Sequence, residues 1–394
     1  MKRLITWMTL GNLLVFCGLV YAQNGGTVPG AGTDAVSINN MTFRTLSFVC
    51  GGKAQAGTPI TALGPANSTG TITISGIPAT AIVNRADLFW TVLTDEDPAV
   101  STLGQNITLN GQPVVGFKIG TAPQSPCFPQ ANTISYRSIV TGLVTSPGNG
   151  IYTVSGLPVD PNFSEGVTLQ VLYADANGAL MEDNLYHAPP DGLLAVTQAE
   201  LFSQDLAMAG TNAAGPVSAT LYEVIGNGQA DVTEALRFAG PCGTMNLDDT
   251  LDGSTVANAP ETCPNSPVNP PQCFWDDDVH DVSPQFACAA GNGATLAQLT
   301  SNPADAATND CFDWPALNLL TSTDEAAVCA AGGTYVDNQC PAADPWRNHG
   351  QYLSCIAAAA ERFLAGLPYG GSCPRAEIQS CIVNPRARSD VGKP

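Results

Sequence analysis

The chain has 394 residues and a formal net charge of -20, with 14 Lys+Arg against 34 Asp+Glu. An apolar share of 44% excludes a wholly disordered chain, and the shortage of cations argues against nucleic acid or an anionic membrane surface as partner. With 39 Gly and 30 Pro, the sequence suits many short strands joined by turns, not a helical bundle.

The first segment reads as an address. Lys2 and Arg3 precede the apolar run Leu4 to Val20, and the small residue Ala22 follows Tyr21. This predicts a secretory signal peptide over residues 1–22, cut before Gln23. No later stretch is long and apolar enough for a transmembrane anchor once that signal is removed. Residues 23–35 are a Gly-rich flexible leader with nothing to bury.

From Val36 the pattern becomes strand after strand. Thr71-Ile-Thr-Ile-Ser75 alternates polar and apolar, as a strand with one wet face does, while Ala86 to Leu93 is more continuously apolar. Asn110-Gly111 between two apolar arms is a hairpin signal, because both residues tolerate positive φ. Similar segments recur at 134–144, 151–157, 167–173, 193–201, 217–225 and 230–238, separated by turn clusters. The prediction is a mainly β protein: an antiparallel, jelly-roll-like β-sandwich over residues 36–285. A Pro-, Asn- and Asp-rich excursion at 241–272 interrupts it. Residues 286–394 are Cys- and Ala-rich and are expected to be a small disulfide-rich α-helical region. Ser322 with Glu325 is a capping box, with Gly332-Gly333 as the expected stop. The periodic apolar face from Asn348 to Ala365 predicts the main helix, and Pro374 opens a shorter one carrying Ile378, Cys381 and Ile382.

Cysteine usage fits export. Removing Cys17 with the signal from the 13 cysteines leaves an even set, for which a disulfide framework is the default. Cys329 and Cys340 bracket a Gly-containing turn and are expected to pair. Cys50, Cys127, Cys242, Cys263, Cys273, Cys288, Cys311, Cys355, Cys373 and Cys381 remain unassigned among themselves. The absence of C-x-x-C spacing weakens zinc-ribbon and thioredoxin-like readings.

Several segments, taken in order, resemble a group of bacterial secreted and cell-surface β-sandwich domains of unknown function. They are Ala86-Asp-Leu-Phe-Trp90, Leu109-Asn-Gly111, Tyr136 to Thr141, Gly150 to Gly156, Gly166 to Tyr173, and Phe274-Trp-Asp276 running into Asp281-Val-Ser283. Asn348-His-Gly-Gln-Tyr-Leu-Ser-Cys355 through Lys393 is similar to a short helical tail on assorted exported bacterial proteins. The resemblance implies fold and location. It implies no reaction.

Chemistry-bearing clusters are few. Asp276 and Asp278 on one face of a strand, with Asp281, are candidate ligands for structural calcium, which takes six to eight oxygens. The plain alternative is a set of solvated acidic turns. The three histidines, His187, His280 and His349, are far apart in sequence and match no zinc signature. His280 is expected at a strand edge beside Asp281, and Asp87 at an edge or outward-facing position. Trp90 and Trp275 are expected in the core. No nucleophile elbow, P-loop or dinucleotide turn is present. The sequence therefore predicts no catalytic residues and a non-enzymatic secreted or cell-surface role in adhesion, ligand binding or matrix structure. The expected partner is an extracellular ligand, glycan or surface protein. The alternatives are a carbohydrate-binding module or glycan-active hydrolase, and a subunit of a surface assembly.

Overall fold

The computed structural model describes residues 43–60, 69–123, 132–159, 163–187, 195–196, 203–208, 218–226, 234–247, 275–287, 295–301, 312–323, 325–365 and 375–393. The signal segment, the leader and most of the 241–272 excursion lie outside them. So do Cys127, Cys263, Cys273, Cys288, Cys311 and Cys373.

The first half of the chain supplies strands β1 (Phe43–Pro59), β2 (Thr69–Ile74), β3 (Ile82–Thr94), β4 (Asn106–Leu109), β5 (Gln112–Val115), β6 (Phe117–Pro123), β7 (Asn132–Ile139), β8 (Gly150–Ser155), β9 (Phe163–Ala174) and β10 (Leu180–His187). The second half adds β11 (Ala195–Val196), β12 (Ser203–Met208), β13 (Ala219–Gly226), β14 (Glu234–Gly240), β15 (Gly243–Leu247), β16 (Trp275–Asp276), β17 (Val279–Asp281), β18 (Thr295–Ser301) and β19 (Phe312–Ser322). All recorded pairings are antiparallel, and the fold is mainly β as the turn-punctuated sequence predicts.

One long sheet runs β16-β13-β19-β10-β1-β9-β3-β7-β6 and carries two smaller four-stranded sheets, β2-β8-β4-β5 and β12-β18-β14-β15. Strand β1 is the hinge of the long sheet. Its first half, to Cys50, pairs with β10, and from Gly51 onward it pairs with β9. A Cβ on Gly51 would stand 2.0 Å from the Tyr173 carbonyl oxygen, so only glycine lets the backbones come this close at the crossing. The two limbs thereby face each other. Phe89 and Ile119 of one limb meet Leu185, Val224, Trp275 and Ala316 of the other.

The outer face of each limb is covered in turn. Ile72, Leu109 and Val154 of the β2-β8-β4-β5 sheet pack on Leu88, Trp90, Tyr136 and Leu169. Phe238 and Leu247 pack on Leu221, Leu317 and Leu319. The expected Asn110-Gly111 turn joins β4 to β5 with φ of 51° and 74°.

The helical region starts later than composition predicts. Residues 295–301 and 312–322 are strands, and β19 is a central strand between β10 and β13, so these parts of the expected helical region belong to the sheets. Its apolar run is continuous because both faces of β19 are covered. Helices α1 (Glu325–Gln339), α2 (His349–Leu364) and α3 (Arg375–Ala387) then form a cap whose core includes Phe48 of β1. Asn348 caps α2, its side chain accepting from Gln351 N at 2.9 Å.

The expected Cys329–Cys340 pairing is wrong. Gly332-Gly333 does not stop α1, which continues to Gln339. Eleven helical residues would separate the two Cα atoms by about 16 Å, far beyond disulfide reach. Instead Cys329 bonds Cys381, tying α1 to α3, and Cys340 bonds Cys355, tying the end of α1 to α2. Gly332 has a packing reason: its added Cβ would lie 2.3 Å from Ile382 Cδ1.

Candidate functional site

Alternation along the strands delivers two kinds of surface to the two faces of the β1-β9-β3-β7 limb. Ala86, Leu88, Trp90 and Val92 enter the apolar core under the small sheet. Asp87 and Thr91 enter the space between the limbs, where Lys53, Gln55, Thr168, Gln170, Ser135 and Arg137 are also buried or partly buried.

The result is a buried ionic network. Asp87 is 4% exposed and accepts from Arg137 Nε at 2.9 Å and Nη2 at 2.8 Å, while Arg85 Nε lies 2.7 Å from its other oxygen. The sequence places Asp87 at an edge or facing outward; the two arginines and the interlimb position overturn that. Burial raises the Asp87 pKa, and Arg85 opposes the rise. Arg137 also reaches His187 at 2.9 Å and lies over the rings of Phe89 and Phe117. Lys53 Nζ stands 2.8 Å from Asp183 Oδ1 and donates to Gln170 Oε1 at 3.3 Å. Burial lowers the Lys53 pKa against the pull of Asp183. Gln170 donates to Gln55, which donates to the Glu223 and Asp277 carbonyls at 2.9 and 2.6 Å, so the two limbs are stitched through amides as well.

The acidic run occupies the same interior. Asp276, Asp277 and Asp278 are 0%, 3% and 2% exposed. The chain leaves β16 after Asp276, so strand alternation no longer applies and all three turn inward. Gly57 makes room: a Cβ there would lie 2.6 Å from Asp277 Oδ2. Burial pushes Asp277 well above the ordinary carboxylate value, with Asp278 and Glu223 adding to the rise and Thr168 opposing it.

The expected calcium trio is not the set that converges. Asp281 is exposed and accepts from Ser283 N at 3.0 Å; the Ser283 side chain first, and this backbone contact second, hold its pKa down. Among the described residues, the ligand atoms that lie within 4.8 Å of one another belong to Glu223, Asp278 and His280. An imidazole with two carboxylates suits zinc-like divalent ions better than calcium, which wants oxygens alone. His280 is oriented by Glu223 at 2.7 Å, not by its neighbour Asp281. Burial pulls the His280 pKa down, but Glu223 and Asp278 outweigh it and the net shift is upward. Burial raises Glu223, opposed by His280. Sequence reasoning missed Glu223 because it sits in an apolar strand far from the Asp run, and only the β13-β17 pairing joins them.

His349 binds the Val391 and Ala387 carbonyls at 2.7 and 3.2 Å, fastening the chain end after α3 to the start of α2. Trp90 and Trp275 are fully buried, as expected. Their indole N–H groups reach Gly104 O at 2.9 Å and Thr168 Oγ1 at 2.8 Å.

The remaining surface of interest is the outer face of the β2-β8-β4-β5 sheet. Register places Thr73 beside Ile151, Thr71 beside Thr153, Thr69 beside Ser155, and Thr108 beside Ser155 and Pro113. Thr108 and Ser155 hydroxyls hydrogen-bond at 2.7 Å. Thr69, Thr71, Thr73, Ile151 and Thr153 are exposed, and no strand of this sheet contains Asp, Glu, Lys, Arg or His.

No protein-family model matches the chain, and no curated protein is similar to it. No helix among the described residues is long and apolar enough to cross a membrane.

Proposed function

We propose that this protein is an exported, non-enzymatic β-scaffold with an adhesive or matrix role, and that it binds an uncharged extracellular ligand surface. The observation that carries the reading is the outer face of the β2-β8-β4-β5 sheet. A chain of net charge -20 keeps this face free of charge and lays threonines along it at about 6.8 Å intervals. Hydroxyls and methyls without ionic groups match neutral partners, of which a glycan is the simplest chemical class.

Export is supported by the cysteines. All six described cysteines, Cys50, Cys242, Cys329, Cys340, Cys355 and Cys381, are in disulfides, which persist in oxidising compartments. The resemblance to bacterial surface sandwiches points the same way. The charged interior supports a structural role, because Asp87, Arg85, Arg137, Lys53 and Asp183 are spent on one another between the limbs.

The test compares wild type with a Thr71→Glu/Thr153→Glu variant on a glycan array and on immobilised matrix proteins. Both positions are exposed, so the like charges placed opposite each other should cost no more than about 1 kcal/mol, and folding is checked by circular dichroism. The reading predicts binding by wild type and at least about a tenfold loss in the variant, about 1.4 kcal/mol. Binding indifferent to these charges, or turnover of the bound glycan, would defeat it.

A further inference from the structure

We propose that Lys53 and Asp183 condense into an intramolecular amide that links the two limbs of the long sheet. The residues come from opposite limbs: Lys53 lies on the half of β1 that pairs with β9, and Asp183 on β10. Their side chains are each 2% exposed, and Nζ stands 2.8 Å from Oδ1. The contact is a buried ion pair that holds the nitrogen directly against the carboxyl group. Reactive groups held about 3–3.5 Å apart in a fixed, water-poor site have already lost most of the entropy that a bimolecular condensation would cost.

The surroundings hold the pair in place. Gln170 accepts from Lys53 on one side, the Tyr222 ring lies 5.6 Å from Nζ on another, and the Tyr222 hydroxyl donates to the Lys53 carbonyl at 3.0 Å. Burial disfavours the charged form of Lys53, and transfer of its proton to the adjacent Asp183 oxygen gives the amine and acid that are the two reactants.

The step balances without a co-reactant. The uncharged Lys53 amine attacks Asp183 Cγ and one N–C bond forms. The amine proton passes to the departing carboxyl oxygen, the C–O bond breaks, and one water leaves.

Intact mass of the full mature chain after complete reduction decides the matter, together with a peptide map. The expected chain is lighter by one water, with a branched peptide joining the Lys53 and Asp183 segments. Asp183→Asn should lose one ammonia instead, because the leaving group changes, and Lys53→Arg should lose nothing. Recovery of wild-type Lys53 and Asp183 in separate linear peptides, or a mass deficit mapped elsewhere, would overturn the proposal. The wild-type map stands alone even where a variant does not fold.

Discussion

The two faces of strand β3 show how one sequence builds two different interfaces. Ala86, Leu88, Trp90 and Val92 meet an apolar sheet, while Asp87 and Thr91, one residue out of phase, face the interlimb space and meet the charge of Arg137 and the hydroxyl of Ser135 on the neighbouring strand β7. The apolar side gains stability from area removed from water and from packing. The polar side gains little net energy from burying ion pairs, but it tolerates no unpaired member. One interface should therefore fail by losing volume, the other by losing a partner.

The largest expected effect is on the apolar side. Trp90 is fully buried and stacked 5.6 Å from Tyr136, so Trp90→Ala should cost about 3–5 kcal/mol in denaturant unfolding. A cost under about 1 kcal/mol would mean that the two sheets do not pack there.

On the polar side, Asp87→Ala should cost a comparable ~3–5 kcal/mol, because it strands Arg85 and Arg137 in a dry interior. Replacing Asp87 together with Arg85 and Arg137 by apolar residues of similar volume should cost less than Asp87→Ala alone. Additive losses in that cycle would show that the network is not a unit.

The cap sharpens the comparison by offering a third kind of hold. Its Cys340–Cys355 bridge closes a loop of 15 residues, for which chain entropy gives about 3 kcal/mol. A Cys340→Ser/Cys355→Ser variant should accordingly speed hydrogen exchange in α1 and α2 and leave β3 unchanged. Spread of the effect into β3 would mean that the cap and the β3 limb open as one cooperative unit.

The smallest effect is a slope with pH. Asp87, Glu223, Asp277 and His280 all have raised folded pKa values, so each binds its proton more tightly in the folded chain. Groups of this kind stabilise below their unfolded values, and that stability is lost as pH rises through the folded ones. Stability should thus decline from the ordinary Glu value of 4.5 past the ordinary His value of 6.5. Lys53, lowered, gives the opposite slope on the alkaline side only while its amine remains free. A melting temperature that rises steadily across the acid-to-neutral range would contradict these shifts.

Legibility in the sequence followed locality. The β2 alternation, the Asn110-Gly111 turn and the α2 face are set within a few residues, and the structure has each of them. Asp87 was unreadable because its justification lies at Arg137, on a different strand. Glu223 became part of a cluster only through pairing with β17. The β19 run looked like the start of a helical region because a strand covered on both faces carries no alternation. Cys329 and Cys340 misled because two glycines, read as a turn, are accommodated inside a helix packed closely on Ile382 and Phe363.

The most direct single test of the account is a cystine map of the protein recovered from outside the producing cell. It should show Cys329 joined to Cys381 and Cys340 joined to Cys355, with Cys50 and Cys242 also oxidised and the leading 22 residues gone. Reduced sulfhydryls at these positions, or retention of the chain in the cytosol, would contradict an exported, sulfur-braced scaffold.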